Sequence, residues 1–211
     1  MPAPGPVAEN ERREERRSQI LTASLFLFAE KGIDGTGLRD IARAVGITQP
    51  TLYHYFTSKD ELVSALIEEC AHHTAEQQQL LLRWLEEAPT LRAGLSRLAE
   101  GFLSAFNIPE MRAFHQLTMT QMAQGGPVAD LIVQRVLVPR RRTAAGLFRQ
   151  LIAAGKIRDV DPELLTLQFI GPLFFTGMLM TAGHDPSLTP ERMREFVFQH
   201  LETFIRGIER N

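Results

Sequence analysis

Residues 38–56 read LRDIARAVGITQPTLYHYF, and this stretch decides the fold. Its first half carries apolar residues at the i, i+3, i+4, i+7 spacing of one helical face, and Gly46 can take the positive φ that reverses the chain. Thr48 can cap the next helix, whose first turn holds Pro50, where a missing N–H costs little. Two short helices joined by a glycine turn are typical of a helix-turn-helix. The apolar positions of the first helix are Leu38, Ile41, Ala42 and Val45.

The same pattern assigns faces to the two helices. A small side chain at Ala42 lets the helices cross closely, and Leu52 and Phe56 turn inward at i, i+4. The predicted shared core is Ile41, Val45, Ile47 and Leu52. The opposite face, which a recognition helix presents to the major groove with its N-terminal end, carries Gln49, Pro50, Tyr53 and His54.

The flanking sequence predicts an all-α chain with a helix-turn-helix head and a larger helical domain. The first eight residues hold three prolines and a glycine, so a disordered tail is expected over 1–10. Lys31 and Gly32 close a first helix of roughly 11–31. Later helices are predicted at roughly 58–87, 90–107, 109–124, 127–155, 161–183 and 190–209, and Pro139 should kink or split the helix that contains it. The predicted domains are 11–58 for DNA binding and 59–211 for ligand binding and dimerisation.

The segment from Glu9 to Arg17 is almost entirely charged. Its Glu and Arg residues recur three and four apart, a spacing that favours a solvated helix start held by ion pairs. The alternative is an arm that reaches DNA phosphates. The residues of such an arm are Arg12, Arg13, Arg16 and Arg17.

Residues 35–62 resemble the DNA-binding head of the TetR family of transcriptional regulators. The resemblance is carried by the runs LRDIA (38–42), GIT (46–48), YHYF (53–56) and SKDEL (58–62). The run QPTLY (49–53) is similar to the recognition helix of the repressor that gives the family its name. One departure is Gly37, where family members usually place Thr or Ser to cap the second helix, although glycine is tolerated there.

The resemblance implies which side chains touch DNA. Contacts to base edges or nearby phosphates fall to Arg39, Gln49, Pro50 and Thr51, and backbone contacts to Tyr53, His54, Tyr55 and Lys59, with Thr48 beside them. The chemistry agrees, because Gln pairs bidentately with adenine, Pro packs on a thymine methyl, and Arg reaches guanine or a phosphate. The alternatives are that Tyr53 and Tyr55 are ordinary core or surface aromatics and that Lys59 is merely solvated.

The charge balance of the chain restricts DNA binding to a local surface. The chain has 23 Lys+Arg against 25 Asp+Glu, a net charge of -2, so no bulk positive field attracts nucleic acid. Residues 1–60 hold eight of each sign. Because protein–DNA affinity depends on neutralised phosphates, the basic residues of the head must gather on one face.

The last two predicted helices indicate a dimer. Residues 164–182 are apolar around most of the helix, which must therefore be buried on several sides. The resemblance implies that this helix and the last one pair with those of a second copy, giving a homodimer on a near-palindromic double-stranded operator. The alternative is that both helices are internal core. The stripe of the last helix is Phe198, Leu201, Ile205 and Ile208, widened by Phe204.

Large apolar and flexible side chains in the middle of the chain suit a pocket for an unidentified small molecule. The candidates are Trp84, Phe102, Phe106, His115, Met119, Met122 and Phe148. The alternative is that these residues are ordinary core, and that His115 is a helix histidine satisfied by its neighbours.

Other classes of protein find little support. Cys70 is the only cysteine, which excludes an internal disulfide and a thiolate-rich metal site. His72 and His73 lie nearby, but no further ligands or orienting group support a metal ion or a nucleophile. The chain lacks a glycine-rich phosphate loop, a carboxylate pair and a Ser/His/Asp signature, so we expect no enzyme and no cofactor. Without a long apolar run or a signal sequence, a soluble cytoplasmic protein with no membrane partner is expected.

The sequence therefore predicts a DNA-binding transcriptional regulator, a repressor that releases its operator when a small hydrophobic or amphipathic ligand binds the C-terminal domain. The alternatives are a helix-turn-helix protein without an effector and a helical enzyme with scattered site residues. About 150 residues follow the head, more than dimerisation requires, which favours a sensor.

Overall fold

The computed structural model describes residues 6–182, 187 and 189–209, and this described part is helical without a strand, which confirms the all-α prediction. The helices lie close to their predicted positions. They are α1 (Pro6–Lys31), α2 (Leu38–Ala44), α3 (Gln49–Tyr53), α4 (Lys59–Glu86), α5 (Leu91–Ala105), α6 (Pro109–Gln124), α7 (Pro127–Ile132), α8 (Val138–Ala153), α9 (Pro162–Ala182) and α10 (Pro190–Ile208).

The chain forms two compact units. The head unit holds the described residues up to Cys70 together with Ala113–Ile132, and the body unit holds Ala71–Arg112 and the described residues from Val133 onward. The sequence predicts a single domain boundary at residue 58, whereas each of the two units in the structure combines two separate stretches of the chain. Helices α4 and α6 each contribute to both units, so part of the predicted ligand domain packs with the head.

The head unit is built on a small apolar core shared by α1, α2 and α3. Its fully buried side chains come from one face of each helix, as the periodicity predicts. They are Ile20, Leu21, Phe28, Ile41 and Leu52, and Phe56 joins them from the turn after α3. Val45 and Ile47, also predicted in this core, are half-buried. The buried faces leave the outer side of α3 free.

Helix α1 begins inside the segment expected to be a tail. Its first residue is Pro6, where a missing N–H costs nothing because the first N–H groups of a helix have no intrahelical partner. Glu9 places negative charge in the first turn, at the positive end of the helix dipole. Residues 1–5 of the predicted tail lie outside the described residues.

Pro139 disturbs its helix as predicted. A π-helical turn, Val133–Leu137, lies between α7 and α8, and Pro139 occupies the first turn of α8. Proline has no N–H to donate to the carbonyl four residues earlier, and a π-turn changes the register of the hydrogen bonds at that point. The single predicted helix over 127–155 is therefore three consecutive segments.

The body unit has its own core, formed by α5, α8, α9 and α10. Phe148 lies at its centre, with ring centroids 6.1 Å from Phe169 and 5.9 Å from Phe204 in edge-to-face geometry. Such aromatic pairs add about 0.5–1.5 kcal/mol each beyond the area they bury.

The predicted dimer stripe of α10 belongs to this core. Leu201 is 1% exposed and Ile205 is fully buried, and Phe204 and Ile208 are buried beside them. For these residues the expectation of an interface with a second copy is wrong, and the internal-core alternative holds. The physical reason is that the main apolar face of α10 packs on α9 and α5 of the same chain.

Helix α9 behaves differently, because it is apolar around its circumference. Leu165, Phe169 and Leu173 are buried, whereas Leu164, Leu167 and Phe175 are exposed on the other side. Despite this composition, no helix in the described ranges is long and apolar enough to cross a membrane.

Candidate functional site

The start of α3 is fixed by a short network of hydrogen bonds. Gly46 has φ +69°, and the following Ile47 N–H donates to the Ala42 carbonyl at 3.0 Å, which closes α2. The Thr48 hydroxyl then accepts from the Thr51 N–H at 3.3 Å and lies 2.8 Å from the Thr51 hydroxyl. The predicted turn and cap are both confirmed, and they orient the first turn of α3.

Helix α2 begins without a side-chain cap at Gly37. The backbone there is extended, with φ -89° and ψ 153°, and the Asp40 carboxylate reaches back to accept from the Gly37 N–H at 3.2 Å. Asp40 therefore supplies the carboxylate half of a capping box, and its own N–H, which a Thr or Ser hydroxyl at position 37 would accept, donates to the Gly37 carbonyl at 3.0 Å.

Two predicted base-reading residues are joined to each other. The Arg39 Nε donates to the Gln49 Oε1 at 3.0 Å, which connects the exposed side of α2 to the first residue of α3. Arg39 is exposed and Gln49 half-buried, and Pro50 is exposed beside them. This bond holds a cation and an amide together at the N-terminal end of the predicted recognition helix.

The far end of α3 also presents polar groups. Tyr53 is 45% exposed, which removes the core alternative for its ring, and His54 is exposed as well. Tyr55 and Lys59 are half-buried. The helix itself ends at Tyr53, three residues earlier than predicted, and the Tyr55 and Phe56 N–H groups both donate to the Leu52 carbonyl at 2.9 and 3.0 Å.

Helix α4 starts in a network of its own beside Lys59. The Ser58 hydroxyl accepts from the Glu61 N–H at 3.0 Å, and the Glu61 carboxylate accepts from the Thr57 N–H at 2.6 Å and from the Thr57 hydroxyl. The hydrogen bonds from the Thr57 side chain and backbone lower the pKa of Glu61. The loop from α3 to α4 is thus hydrogen-bonded at the point where Lys59 enters the first turn.

Two of the four arginines in the suggested arm have structural partners. Arg16 Nη1 donates to the Val45 carbonyl at the end of α2 at 3.3 Å. The Arg17 guanidinium lies over the Phe56 ring, 5.4 Å from its centroid. These two side chains attach α1 to the helix-turn-helix, while Arg12 and Arg13 are exposed.

The structure separates the predicted ligand-binding residues. Trp84, Phe102, Phe106 and Phe148 belong to the body unit, and His115, Met119 and Met122 to the head unit. In the head unit, Gln116 donates to the Ala29 carbonyl at 2.9 Å, next to His115. Phe102, Phe106 and Phe148 are buried in the body core, whereas Trp84 is half-buried.

Trp84 lines a groove of about 390 Å³ between α4 and α5. Its apolar wall includes Leu80, Ala105 and Ile108, and its polar groups include Gln77, Arg97 and Ser104. The Arg97 guanidinium lies 4.8 Å from the centroid of the Trp84 ring. An apolar wall with a few polar groups is typical of small-molecule sites.

The sequence indicates that α9 is apolar on several sides, and the structure leaves one of these sides exposed, whereas sequence reasoning did not single out Phe196 of α10. Leu167 is 60% and Phe175 56% exposed on α9, and Phe196 on α10 is also exposed. The signal was present in α9, because a helix that is apolar all round needs a partner on each side, and one chain supplies only some of them.

The suggested metal and nucleophile sites gain nothing from the geometry. Burial, with a smaller effect of Glu69, raises the pKa of the Cys70 thiol to about 12, which disfavours the thiolate that a nucleophile or a metal ligand requires. In the described ranges, no group of three or more His, Cys, Asp or Glu side chains is placed to hold a metal ion.

Comparison with known proteins covers both parts of the chain. Residues 20–66 match the model of bacterial regulatory proteins of the tetR family, and residues 85–199 match that of the tetracyclin repressor-like C-terminal domain. The HTH-type transcriptional repressor KstR2 of Mycolicibacterium smegmatis is 26% identical over 155 residues, covering 71% of this chain and 72% of that protein. KstR2 of Rhodococcus jostii is 39% identical over 64 residues, but there the match spans only 31% of the relative's length.

Solved structures share the fold across nearly the whole chain. A TetR-family protein from Mesorhizobium loti superposes with a TM-score of 0.78 at 20% identity, covering 94% of this chain and 99% of that one. A transcriptional regulator from Saccharomonospora viridis, solved in complex with choline, gives a TM-score of 0.71 at 23% identity, covering 94% and 100%. With both family models matched and the capped α3 in place, the chain belongs to the TetR family of transcriptional regulators.

Proposed function

We propose that this protein is a homodimeric repressor that binds a near-palindromic operator through α3 and releases it when a small apolar or amphipathic molecule binds the body unit. The observation that carries the proposal is the geometry of α3. Leu52 and Phe56 hold it on the head core, while Gln49, Pro50 and Tyr53 stand on its accessible side. Relatives such as KstR2 are named as transcriptional repressors.

The proposed roles of the DNA-contacting residues follow from their positions along α3 and the loop after it. Gln49 and Pro50 lie in the first turn of α3, where a recognition helix meets base edges, with Arg39 bonded to Gln49. Lys59 and Tyr55 lie past the end of α3, where contacts to phosphates position the helix. Sequence preference is therefore assigned to the first turn and general affinity to the loop before α4.

Replacing Gln49 with Ala should weaken binding to the cognate operator and spare binding to unrelated DNA, whereas Lys59→Ala should weaken both. A bidentate base contact is worth about 1–3 kcal/mol of discrimination, while a lost phosphate contact lowers the salt slope of binding by about one. The operator is first selected from a random DNA pool, and binding is then measured by fluorescence anisotropy at several salt concentrations.

Gln79→Ala is the matched control, since Gln79 is an exposed glutamine on α4 in the body unit. It should leave both affinities unchanged. Equal losses on operator and unrelated DNA for Gln49→Ala would remove Gln49 from base readout.

The dimer is proposed to form on the exposed apolar side of α9 and α10. Leu164, Leu167 and Phe175 lie at i, i+3 and i+11 along α9, and Phe196 is a further exposed apolar side chain on α10. Burying apolar surface releases about 25 cal/mol per Å². A second copy that covers this side gives the two-fold symmetry that a near-palindromic operator requires.

The groove beside Trp84 supports a ligand site in the body unit. It offers an indole face, aliphatic side chains and a few polar groups within about 390 Å³. The regulator from Saccharomonospora viridis was solved with a small molecule, choline, which supports small-molecule binding by a protein of this fold. The alternative, a DNA-binding protein without an effector, predicts that nothing bound here changes operator affinity.

If a ligand lowers the affinity of the protein for the operator, the operator must lower the affinity of the protein for that ligand by the same factor. Reciprocity of this kind is required by thermodynamics, and a typical coupling is about 5- to 150-fold. Trp84 is the only tryptophan, so its fluorescence reports binding near the groove without a label. A panel of apolar and amphipathic molecules is titrated with and without selected operator DNA. A molecule that binds with equal affinity under both conditions is no effector, and a panel that yields only such molecules favours the alternative.

A further inference from the structure

Arg140 differs from the two arginines that follow it in the sequence. Arg141 forms an ion pair with Glu163, and Arg142 is exposed. Arg140 instead turns its guanidinium over the ring of Phe102, with 5.5 Å between the guanidinium carbon and the ring centroid. It lies in the first turn of α8, directly after the π-helical turn. One member of a solvated-looking charge run is thus directed into the body unit.

Within the described residues, the guanidinium of Arg140 lacks a counter-charge. Over the part of the chain that the structure describes, no carboxylate forms an ion pair with it. The Gln78 amide donates to the Arg140 backbone carbonyl at 2.9 Å. This bond holds the main chain but does not neutralise the charge of the guanidinium. The side chain is half-buried, so the cation is enclosed by protein yet still reachable.

An enclosed cation without a counter-charge is costly. Burial lowers the pKa of Arg140, yet a guanidinium stays charged in proteins. Cation–π attraction to Phe102 offsets part of the desolvation penalty, but a buried charge is stabilised fully only by an anion with matching hydrogen bonds. The ring of Phe106 lies 5.3 Å from that of Phe102, and both rings are buried, so the charge lies against the apolar core of the body unit.

We propose that Arg140 is the anion-recognition residue of a ligand site in the body unit that is separate from the groove beside Trp84, and that the effector bound there is an amphipathic carboxylate. The planar guanidinium holds the carboxylate through two parallel N–H···O bonds on its accessible side, while its other side stays on the Phe102 ring. This inference rests on the proposed ligand response, and it specifies the class of molecule that produces it.

A purely structural role for Arg140 predicts the opposite effect on stability. If the guanidinium served the fold, replacing it with an apolar side chain of similar length would destabilise the protein. As a binding residue that carries an uncompensated charge, Arg140 should be replaceable by Met with an equal or higher Tm in the absence of ligand. Arg142→Met is the matched control at an exposed arginine on the same helix.

The test uses octanoate and 4-phenylbutyrate, with octanol and 4-phenylbutanol as neutral analogues of the same size. Isothermal titration calorimetry on the full chain should show saturable binding of the carboxylates to the wild type and to Arg142→Met, and weaker binding of the alcohols. Arg140→Met should bind the carboxylates about 10- to 150-fold more weakly, the range expected for loss of hydrogen bonds to a charged group. Arg140→Lys, which keeps the charge but loses the planar fork, should fall between them.

Each other outcome overturns the inference or separates it from the proposed function. Carboxylate binding that is absent in the wild type, or unchanged in Arg140→Met, overturns it. If Arg140→Met does not fold, Arg140 is a structural residue and the inference is overturned. Carboxylate binding that is unchanged in Arg140→Lys overturns the inference as well. Carboxylates that bind through Arg140 without releasing operator DNA contradict the proposed function alone. Release by the alcohols that persists in Arg140→Met contradicts only the inference.

Discussion

Glutamate at both Leu167 and Phe175 should give a folded monomer whose affinity for the operator is about 10²- to 10⁴-fold lower than that of the wild type. Both side chains are more than half exposed in the single chain, so the substitutions leave its core intact. At a dimer interface they would place carboxylates in an apolar, desolvated surface, which is strongly unfavourable. The loss in DNA affinity follows from avidity, because a linked second half-site contributes about that factor.

Sedimentation velocity gives the oligomeric state, and circular dichroism verifies the helical content. Leu80→Glu is the matched control, since Leu80 is a similarly exposed leucine on α4. The same change at Leu201 or Ile205 is a poor test, because both lie in the core of the body unit and glutamate there should unfold it. A double variant that remains a stable dimer would place the interface on another surface.

Replacing Phe148 with Ala should destabilise the body unit by about 3–5 kcal/mol, the usual cost of removing a buried phenylalanine. Phe148 is 1% exposed and packs edge to face against Phe169 and Phe204, so its loss leaves a cavity and breaks two aromatic contacts. The free energy of unfolding is measured by urea denaturation followed by circular dichroism.

Phe148→Leu separates volume from aromatic geometry, because leucine fills most of the space and should cost less than alanine. Trp84→Phe is the comparison at the groove, where a half-buried ring should tolerate the change with a small loss. If Phe148→Ala were as stable as the wild type yet lost ligand binding, Phe148 would be a pocket residue, as the sequence alone suggests, and its place in the core would need revision.

Local signals explain why the head was predictable. The turn at Gly46 and the cap at Thr48 depend on residues within a few positions of each other, and steric limits on φ and on capping groups operate at that range. The buried positions of Leu52 and Phe56 follow from helical periodicity. The early end of α3 at Tyr53 was not predictable, because helical periodicity continues through residues that form only turns.

The packing of the body unit was harder to predict from the sequence, because residues that contact each other there are far apart in the chain. The stripe through Leu201 and Ile205 shows that α10 has an apolar side, but periodicity does not state whether that side packs on the same chain or on another. The candidate ligand residues form a cluster only in composition, and the fold divides Trp84 from Met119 between two units. Arg140 gave no signal, since three consecutive arginines look alike until the helix is placed.

The hydrogen bond between Arg39 and Gln49 has a consequence for how this regulator acquires a new operator. A substitution at either residue frees the other from its partner, and with that its orientation changes. Under the proposed function, the base pairs that the two residues contact are therefore not chosen independently, and their preferences combine non-additively, as for any pair of residues in direct contact. Single mutational steps toward a different operator should pass through poorly binding intermediates, so among descendants of this chain the two positions are expected to change together.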